Sequence, residues 1–252
     1  MASWSTKRRF AYGGGVFLVI AAIVGTTSYF HFKKVPNCLD MIKNGDEQGI
    51  DCGGSCTLMC PFQVVAPIVL WQRAAQISDG IYSVIAYVEN PNPQSSASNV
   101  PYVFKLYDEQ GVAITERMGQ ASLAANAIVP IFESGLLTGK RIPARVTFQF
   151  ASDPAWMKAS PLPKNLLVKN IALSKASSTP RVDASLQNLS VQPASHIQAV
   201  AIVYDSNGNA MAFSSTIIDS ADAESTQNIV FTWRQPFALP VSKIEIIPLL
   251  TR

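Results

Sequence analysis

Four cysteines, Cys38, Cys52, Cys56 and Cys60, fall within 23 residues, and the chain has no others. Asp40, Asn44, Asp46 and Asp51 lie between the first two, on a glycine-containing stretch. Carboxylate and amide oxygens at such spacing suit a hard cation, so these four are the candidate Ca²⁺ ligands. The spacing is not that of an EF-hand loop, which also needs a ligating Glu at its end. A solvated turn, in which Asn and Asp bond their own backbone, uses the same residues. The cysteines open two further chemistries. One is a pair of disulfides. The other is a zinc site on Cys56-x3-Cys60 plus the remaining two, although two-residue spacing is the commoner knuckle and no His lies nearby. Four cysteines allow three pairings, and spacing does not choose among them.

Catalytic residue types are sparse elsewhere. The chain has two histidines, His31 in an apolar stretch and His196 in a polar stretch, Ser195-His196-Ile197. A Ser-His-acid triad needs a His held by a carboxylate beside a Ser, and no spacing marks one. There is no glycine-rich phosphate loop and no HExxH pair. No pair of carboxylates stands out for glycoside hydrolysis. The sequence therefore predicts no catalytic residue and no enzyme. Asn188-Leu189-Ser190 is a formal glycosylation sequon, of consequence in a eukaryotic setting. Trp71, Trp156 and Trp233 are expected to pack in cores and at an interdomain joint.

The elements that must position these residues begin with Phe10 to Phe32, 23 residues without Asp, Glu, Lys or Arg, bracketed by Lys7-Arg8-Arg9 and Lys33-Lys34. As a helix this segment spans a hydrocarbon core of about 30 Å. A cleaved signal peptide is the rival reading, but its apolar core is about 7–15 residues, and Gly25-Thr26-Thr27-Ser28 is a poor cleavage site. Clustered cysteines just beyond such a segment read as disulfides in an oxidising compartment, which puts the N-terminus in the cytoplasm and the bulk outside. Five of the 20 basic residues and none of the 17 acidic ones lie in residues 1–34, so the rest carries 15 against 17. The overall charge of +3 is thus a membrane-flank effect and gives no footprint for nucleic acid.

After Cys60, short runs rich in Val, Ile, Tyr, Phe and Thr alternate with Pro, Asn, Gly and Ser clusters, the pattern of an all-β sandwich. Tyr82, Val84, Ala86 and Val88 share one strand face, as do Tyr102, Phe104 and Leu106. The pattern also repeats. Tyr107-Asp108-x-x-Gly111 recurs as Tyr204-Asp205-x-x-Gly208, with Asn90 and Asn188 at matching distances upstream. Ile128-Val129 aligns with Ile229-Val230, and the segment from Pro143 with that from Pro240. Tyr-Asp-x-x-Gly reads as a strand running into a tight hairpin. Tyr107 and Tyr204 are expected to be structural, with hydroxyls bonded at a sandwich corner.

Two resemblances follow. Residues 38–56 resemble a short module of secreted and surface proteins, C-x-D-G-I-x-N-G-D-E-x-x-x-D-C-G-G-x-C, with Met41 where that pattern has Gly. This implies an extracytoplasmic setting and no activity. Phe104-Lys105-Leu106-Tyr107-Asp108 resembles the F-x-L-Y-D string of the FxLYD domain family, and Pro130 to Glu133 and Pro143 to Phe150 resemble its later segments. The likeness covers residues 65–150. The second copy keeps only Tyr204-Asp205. The resemblance implies an immunoglobulin-like sandwich of bacterial envelope or surface proteins and no general activity.

The sequence thus predicts an all-β chain: two tandem immunoglobulin-like β-sandwich domains after one N-terminal transmembrane helix and a small disulfide-rich neck. The expected boundaries are a cytoplasmic stub at 1–9, a signal-anchor helix at 10–32, the neck at 35–62, sandwiches at 63–152 and 166–252, and a linker at 153–165. The expected function is that of a single-pass, non-enzymatic envelope or surface component that binds a protein partner or assembles as a homo-oligomer. Two alternatives stand behind it: a ligand- or Ca²⁺-sensing module using loop 40–51, and an envelope enzyme with an unidentified site. Ca²⁺ is the sole cofactor candidate.

Overall fold

An uninterrupted helix, α1 (Trp4–Phe32), opens the chain in the computed structural model, which describes residues 4–32, 37–159 and 165–250. It begins six residues ahead of the expected Phe10, because no helix breaker separates the basic flank from the apolar run. Tyr12–Tyr29 is apolar and long enough to cross a membrane, and none of it is buried against protein. The Thr26 and Thr27 hydroxyls donate to the carbonyls of Ala22 and Ile23, each at 2.8 Å, which satisfies them inside the helix. His31 belongs to this helix, while Lys33 and Lys34 lie outside the described residues. Met1–Cys56 forms one unit and Thr57–Arg252 a second.

Apart from a 3-10 turn at Pro61–Gln63, the described elements of the second unit are β strands. The first sandwich contains β1 (Ile68–Ser78), β2 (Ile81–Asn90), β3 (Ser95–Tyr107), β4 (Ala113–Leu123), β5 (Ala127–Leu137), β6 (Arg145–Phe150) and the short β7 (Met157–Lys158). The second sandwich contains β8 (Leu166–Ser174), β9 (Arg181–Asn188), β10 (Ala194–Tyr204), β11 (Ala210–Ala221), β12 (Thr226–Thr232) and β13 (Lys243–Leu250). Strand order is β1-β2-β5 over β4-β3-β6 in the first, with β7 also on β3, and β8-β9-β12 over β11-β10-β13 in the second. All pairings are antiparallel, and one wiring diagram serves both copies.

The first core is built from the faces read from sequence. Tyr82, Val84, Ala86 and Val88 meet Tyr102, Phe104 and Leu106. Phe104 and Leu106 have no exposed surface, and burying each side chain contributes about 1.5–3 kcal/mol. Phe148 packs on Phe104 with ring centroids 4.9 Å apart. Val182, Leu186, Ile197, Ile229 and Phe231 do the same work in the second core.

Polar residues hold the repeat together more faithfully than apolar ones. Asn90 ends β2 and Asn188 ends β9, and both are fully buried. Asn90 Nδ2 donates to the carbonyls of Ser95 and Ala124, both at 2.8 Å. Asn188 Nδ2 donates to Gln192, Ala221 and Asp222. Each amide thereby ties its own strand end to a loop about 34 residues downstream. The hairpins match too. Asp108 Oδ1 accepts from Val112 N, and Asp205 Oδ1 from Asn209 N, both at 2.8 Å. Gly111 and Gly208 both sit at φ 77°, where a Cβ would be strained.

Several expectations need correction. Ile229-Val230 corresponds to Ile131-Phe132, not to Ile128-Val129: Ile131 lies opposite Ala86 and Ile229 opposite Ala184, each four residues before its asparagine. Tyr107 and Tyr204 do not form a sandwich corner. They alternate with the core residues and stand on the outer face, under the Arg145 guanidinium (4.6 Å) and the Lys243 ammonium (5.3 Å). The neck boundary shifts, since Thr57 onward belongs to the unit of the sandwiches. Within the expected linker, Trp156 is buried in the first core and Met157–Lys158 is strand, while 160–164 lie outside the described residues. Met59 N donates to Trp156 O and Lys158 N to Thr57 O, so the incoming and outgoing segments pair with each other.

The Asn188 sequon is structural, because its acceptor nitrogen is enclosed and donates to three carbonyls. Asn188→Ala strands those carbonyls and is expected to destabilise the second sandwich by about 2–3 kcal/mol in urea denaturation. Chain produced in a glycosylating host is expected to show no added glycan mass at Asn188.

Candidate functional site

Within 37–56 the structure brings Asp40, Asn44 and Asp51 together and sets Asp46 on a different partner. Asp51 accepts from the backbone N–H of Asp40 at 3.0 Å and of Met41 at 2.9 Å. Asp40 accepts from Ile42 N at 3.0 Å and from Asn44 Nδ2 at 2.8 Å. Asp46 accepts from the Ser55 hydroxyl at 2.6 Å. The carboxylates therefore cap the loop's own amides, as short Asx-rich turns do. Asn44 Oδ1 is the acceptor of this group that is buried without a hydrogen-bond partner among the described residues.

Glu47, which sequence reasoning passed over, is the centre of this loop. It is buried, and its Oε2 accepts from Asn44 N at 3.1 Å and Asp51 N at 3.4 Å. Its Oε1 lies 3.4 Å from Cys56 Sγ. Cys38, Glu47 and Cys56 converge as a metal trio would, but Cys38 and Cys56 are bonded to each other. Cys52 and Cys60 are disulfide-bonded as well, and no described cysteine is free. Thiolates for the zinc alternative are therefore absent from the cysteine cluster. Closing a loop of this size contributes about 3 kcal/mol, which a segment this short and polar needs.

Met41 sits at φ 58°. An L-residue with a long side chain pays about 1–2 kcal/mol there, and glycine pays little. Met41→Gly is expected to tighten the loop by about 1 kcal/mol. Slower hydrogen exchange at the Asp40 and Met41 amides, which Asp51 caps, would register the gain.

The other candidate surface is the joint between the sandwiches. The outer face of β1-β2-β5 presents Trp71, Ile85, Tyr87 and Phe132, and the outer face of β11-β10-β13 presents Val200, Ile202, Tyr204, Phe213 and Ile247. They form one cluster in which Ile85, Val200 and Ile202 have no exposed surface. Trp71 stacks on Tyr87 with centroids 4.9 Å apart. The Tyr204 hydroxyl donates to Glu245 at 2.9 Å, and the same carboxylate acts on the Tyr87 hydroxyl from across the joint. A sequence signal for this joint existed. Val84 to Val88 and Ala199 to Val203 are unbroken apolar runs, which a strand with one wet face does not show.

Trp71 lies in the joint and Trp156 in a core, while Trp233 packs on the second core and donates Nε1–H to Phe213 O at 3.1 Å. None of the three is presented as a sugar platform. His196 is exposed and sits within β10, not in a loop, at φ 53°.

Neither a family model nor a curated protein sequence matches the chain. Among solved structures it is similar to red sea bream transglutaminase, at 13% identity over 73% of this chain and 29% of that one, with a TM-score of 0.27. It is also similar to a β-glucuronidase of glycoside hydrolase family 2, at 10% identity over 86% of this chain and 29% of that one, with a TM-score of 0.22. The chain spans less than a third of either length, and likeness at this level carries no argument about activity.

The Tyr87 hydroxyl is pushed up from 10.0 to about 12, first by burial and then by the charge of Glu245 and the hydrogen bond to it. Tyr204 is pushed in the same direction for the same reasons. A raised folded value means the neutral form is favoured in the joint. Its contribution is complete below the ordinary value and is lost as pH climbs toward the raised one. Thermal stability is therefore expected to fall between pH 10 and about 12, and to fall less in Tyr87→Phe; equal slopes for the two proteins would refute the coupling.

Proposed function

We propose that this chain is a membrane-anchored, non-enzymatic component of a cell envelope or surface, with both sandwiches on the extracytoplasmic side. The observation that carries the reading is the adjacency of two features. A helix with an apolar stretch at Tyr12–Tyr29 and nothing packed on it is followed at once by a fully oxidised cysteine cluster. An unsheltered apolar helix belongs in lipid, and disulfides persist in oxidising compartments. The basic residues ahead of the helix favour a cytoplasmic N-terminus. The sandwiches offer sheet faces, edges and loops for protein contact. The F-x-L-Y-D string supports a scaffold role in physical terms, since Phe104 and Leu106 fill the core and Asp108 closes a hairpin.

Topology is the direct test. In cells with a permeabilised outer layer, added protease is expected to digest the sandwiches while the chain stays in the membrane fraction after alkaline carbonate extraction. Maleimide is expected to label no cysteine until reductant is added. Release by carbonate with a new N-terminus beyond residue 25 would mean a cleaved signal, and free thiols on a protected domain would reverse the topology.

A further inference from the structure

The joint between the sandwiches is heterologous: a β1-β2-β5 face of one copy meets a β11-β10-β13 face of the other. Each sandwich therefore keeps the face its neighbour used. The first retains an open β4-β3-β6 face and the second an open β8-β9-β12 face. Heterologous contacts that repeat without closing build open fibres. A second copy of this chain could extend the pair if its faces carried the residues of the joint.

The registers allow a residue-by-residue comparison. In the second sandwich the joint face has the cross-strand rows Ala210-Tyr204-Lys243, Phe213-Ile202-Glu245 and Ser215-Val200-Ile247. The same rows in the first are Ala113-Tyr107-Arg145, Glu116-Lys105-Thr147 and Met118-Val103-Gln149. The Tyr row persists, cation included. The apolar centre does not: Ile202 and Phe213 are replaced by Lys105 and Glu116, paired at 3.6 Å. What remains is a shallow groove of about 500 Å³ lined by Val103, Met118, Lys105 and Glu116 among others. On the other side, the row Arg73-Ile85-Phe132 becomes Ala172-Asp183-Val230, and Trp71-Tyr87-Pro130 becomes Lys169-Ser185-Asn228. Asp183, where Ile85 would stand, is held by the Arg181 guanidinium at 2.6 and 2.9 Å.

We propose that these two outer faces are the halves of a copy-to-copy interface kept shut by charge, with Lys105–Glu116 and Arg181–Asp183 as the blocks. Docking them would bring two ion pairs out of water, and attraction between such pairs seldom repays that desolvation. Terminal repeats of stacked arrays carry polar outer faces for the same reason. The occupant being excluded is a second copy of this chain.

The test uses the full chain in mild detergent. K105I/E116F writes Ile202 and Phe213 onto the first sandwich, and D183I writes Ile85 onto the second. By sedimentation velocity each variant alone is expected to match the wild type, their mixture to form a 1:1 complex, and the triple variant to form a concentration-dependent ladder. A mixture and triple variant indistinguishable from wild type, with melting curves showing folded protein, would overturn the proposal. Should the variants misfold, M118C and N228C chains serve instead, since both substitutions sit on the outer faces, leave the two ion pairs in place, and the native cysteines are oxidised. A bismaleimide is expected to give no M118C–N228C cross-link between copies, and efficient cross-linking would overturn the proposal by showing the charged faces already in contact.

Discussion

Through their central runs, 84–88 and 199–203, strands β2 and β10 are enclosed on both faces, and the arrangement of the sandwiches depends on that. Each strand packs its own core on one side and the opposite sandwich on the other. Ile85 is enclosed by Val200, Ile202 and Phe213, residues that lie more than a hundred positions further along the chain. Side chains fully removed from water on both sides of a joint cannot be exposed without a large hydrophobic penalty. The two sandwiches therefore act as one body, although neither contributes a strand to the other's sheets.

Within that body the two copies share polar wiring more than apolar content. The strand-end asparagines, the Asp-capped hairpins and the cation over tyrosine recur at matched places. The cores differ, with Tyr102, Phe104 and Phe148 clustered in one and Ala199, Ala201 and Ile197 in the other. Cores tolerate repacking when volume and pattern are kept, whereas a buried amide that must satisfy particular carbonyls has few substitutes.

That division explains what could be read from the sequence. Period-two alternation exposed the core faces of β2 and β3, and Tyr-Asp-x-x-Gly marked both hairpins, because each is a local rule. Asn90 and Asn188 were visible as a repeat, but their carbonyl partners, some 34 residues away, were not. The Ile128-Val129 alignment failed because two apolar dipeptides three residues apart look alike until strand register separates them. The neck acids were found as oxygen ligands, while Glu47 was passed over, since its burial follows from how the loop closes. The joint left its trace in two unbroken apolar runs, yet which faces would meet depends on their three-dimensional apposition.

The pairing of Thr57–Met59 with Trp156–Lys158 has a mechanical consequence. Leu58 bridges Met157 in antiparallel sense, and Thr57 lies opposite Lys158, so the chain arrives and departs at the same end of this ribbon. Tension drawn from the N-terminal side toward the second sandwich would load these few hydrogen bonds first. The first sandwich, whose strands all lie between the two segments, stands as a closed loop outside the line of pull, shielded until the ribbon has opened.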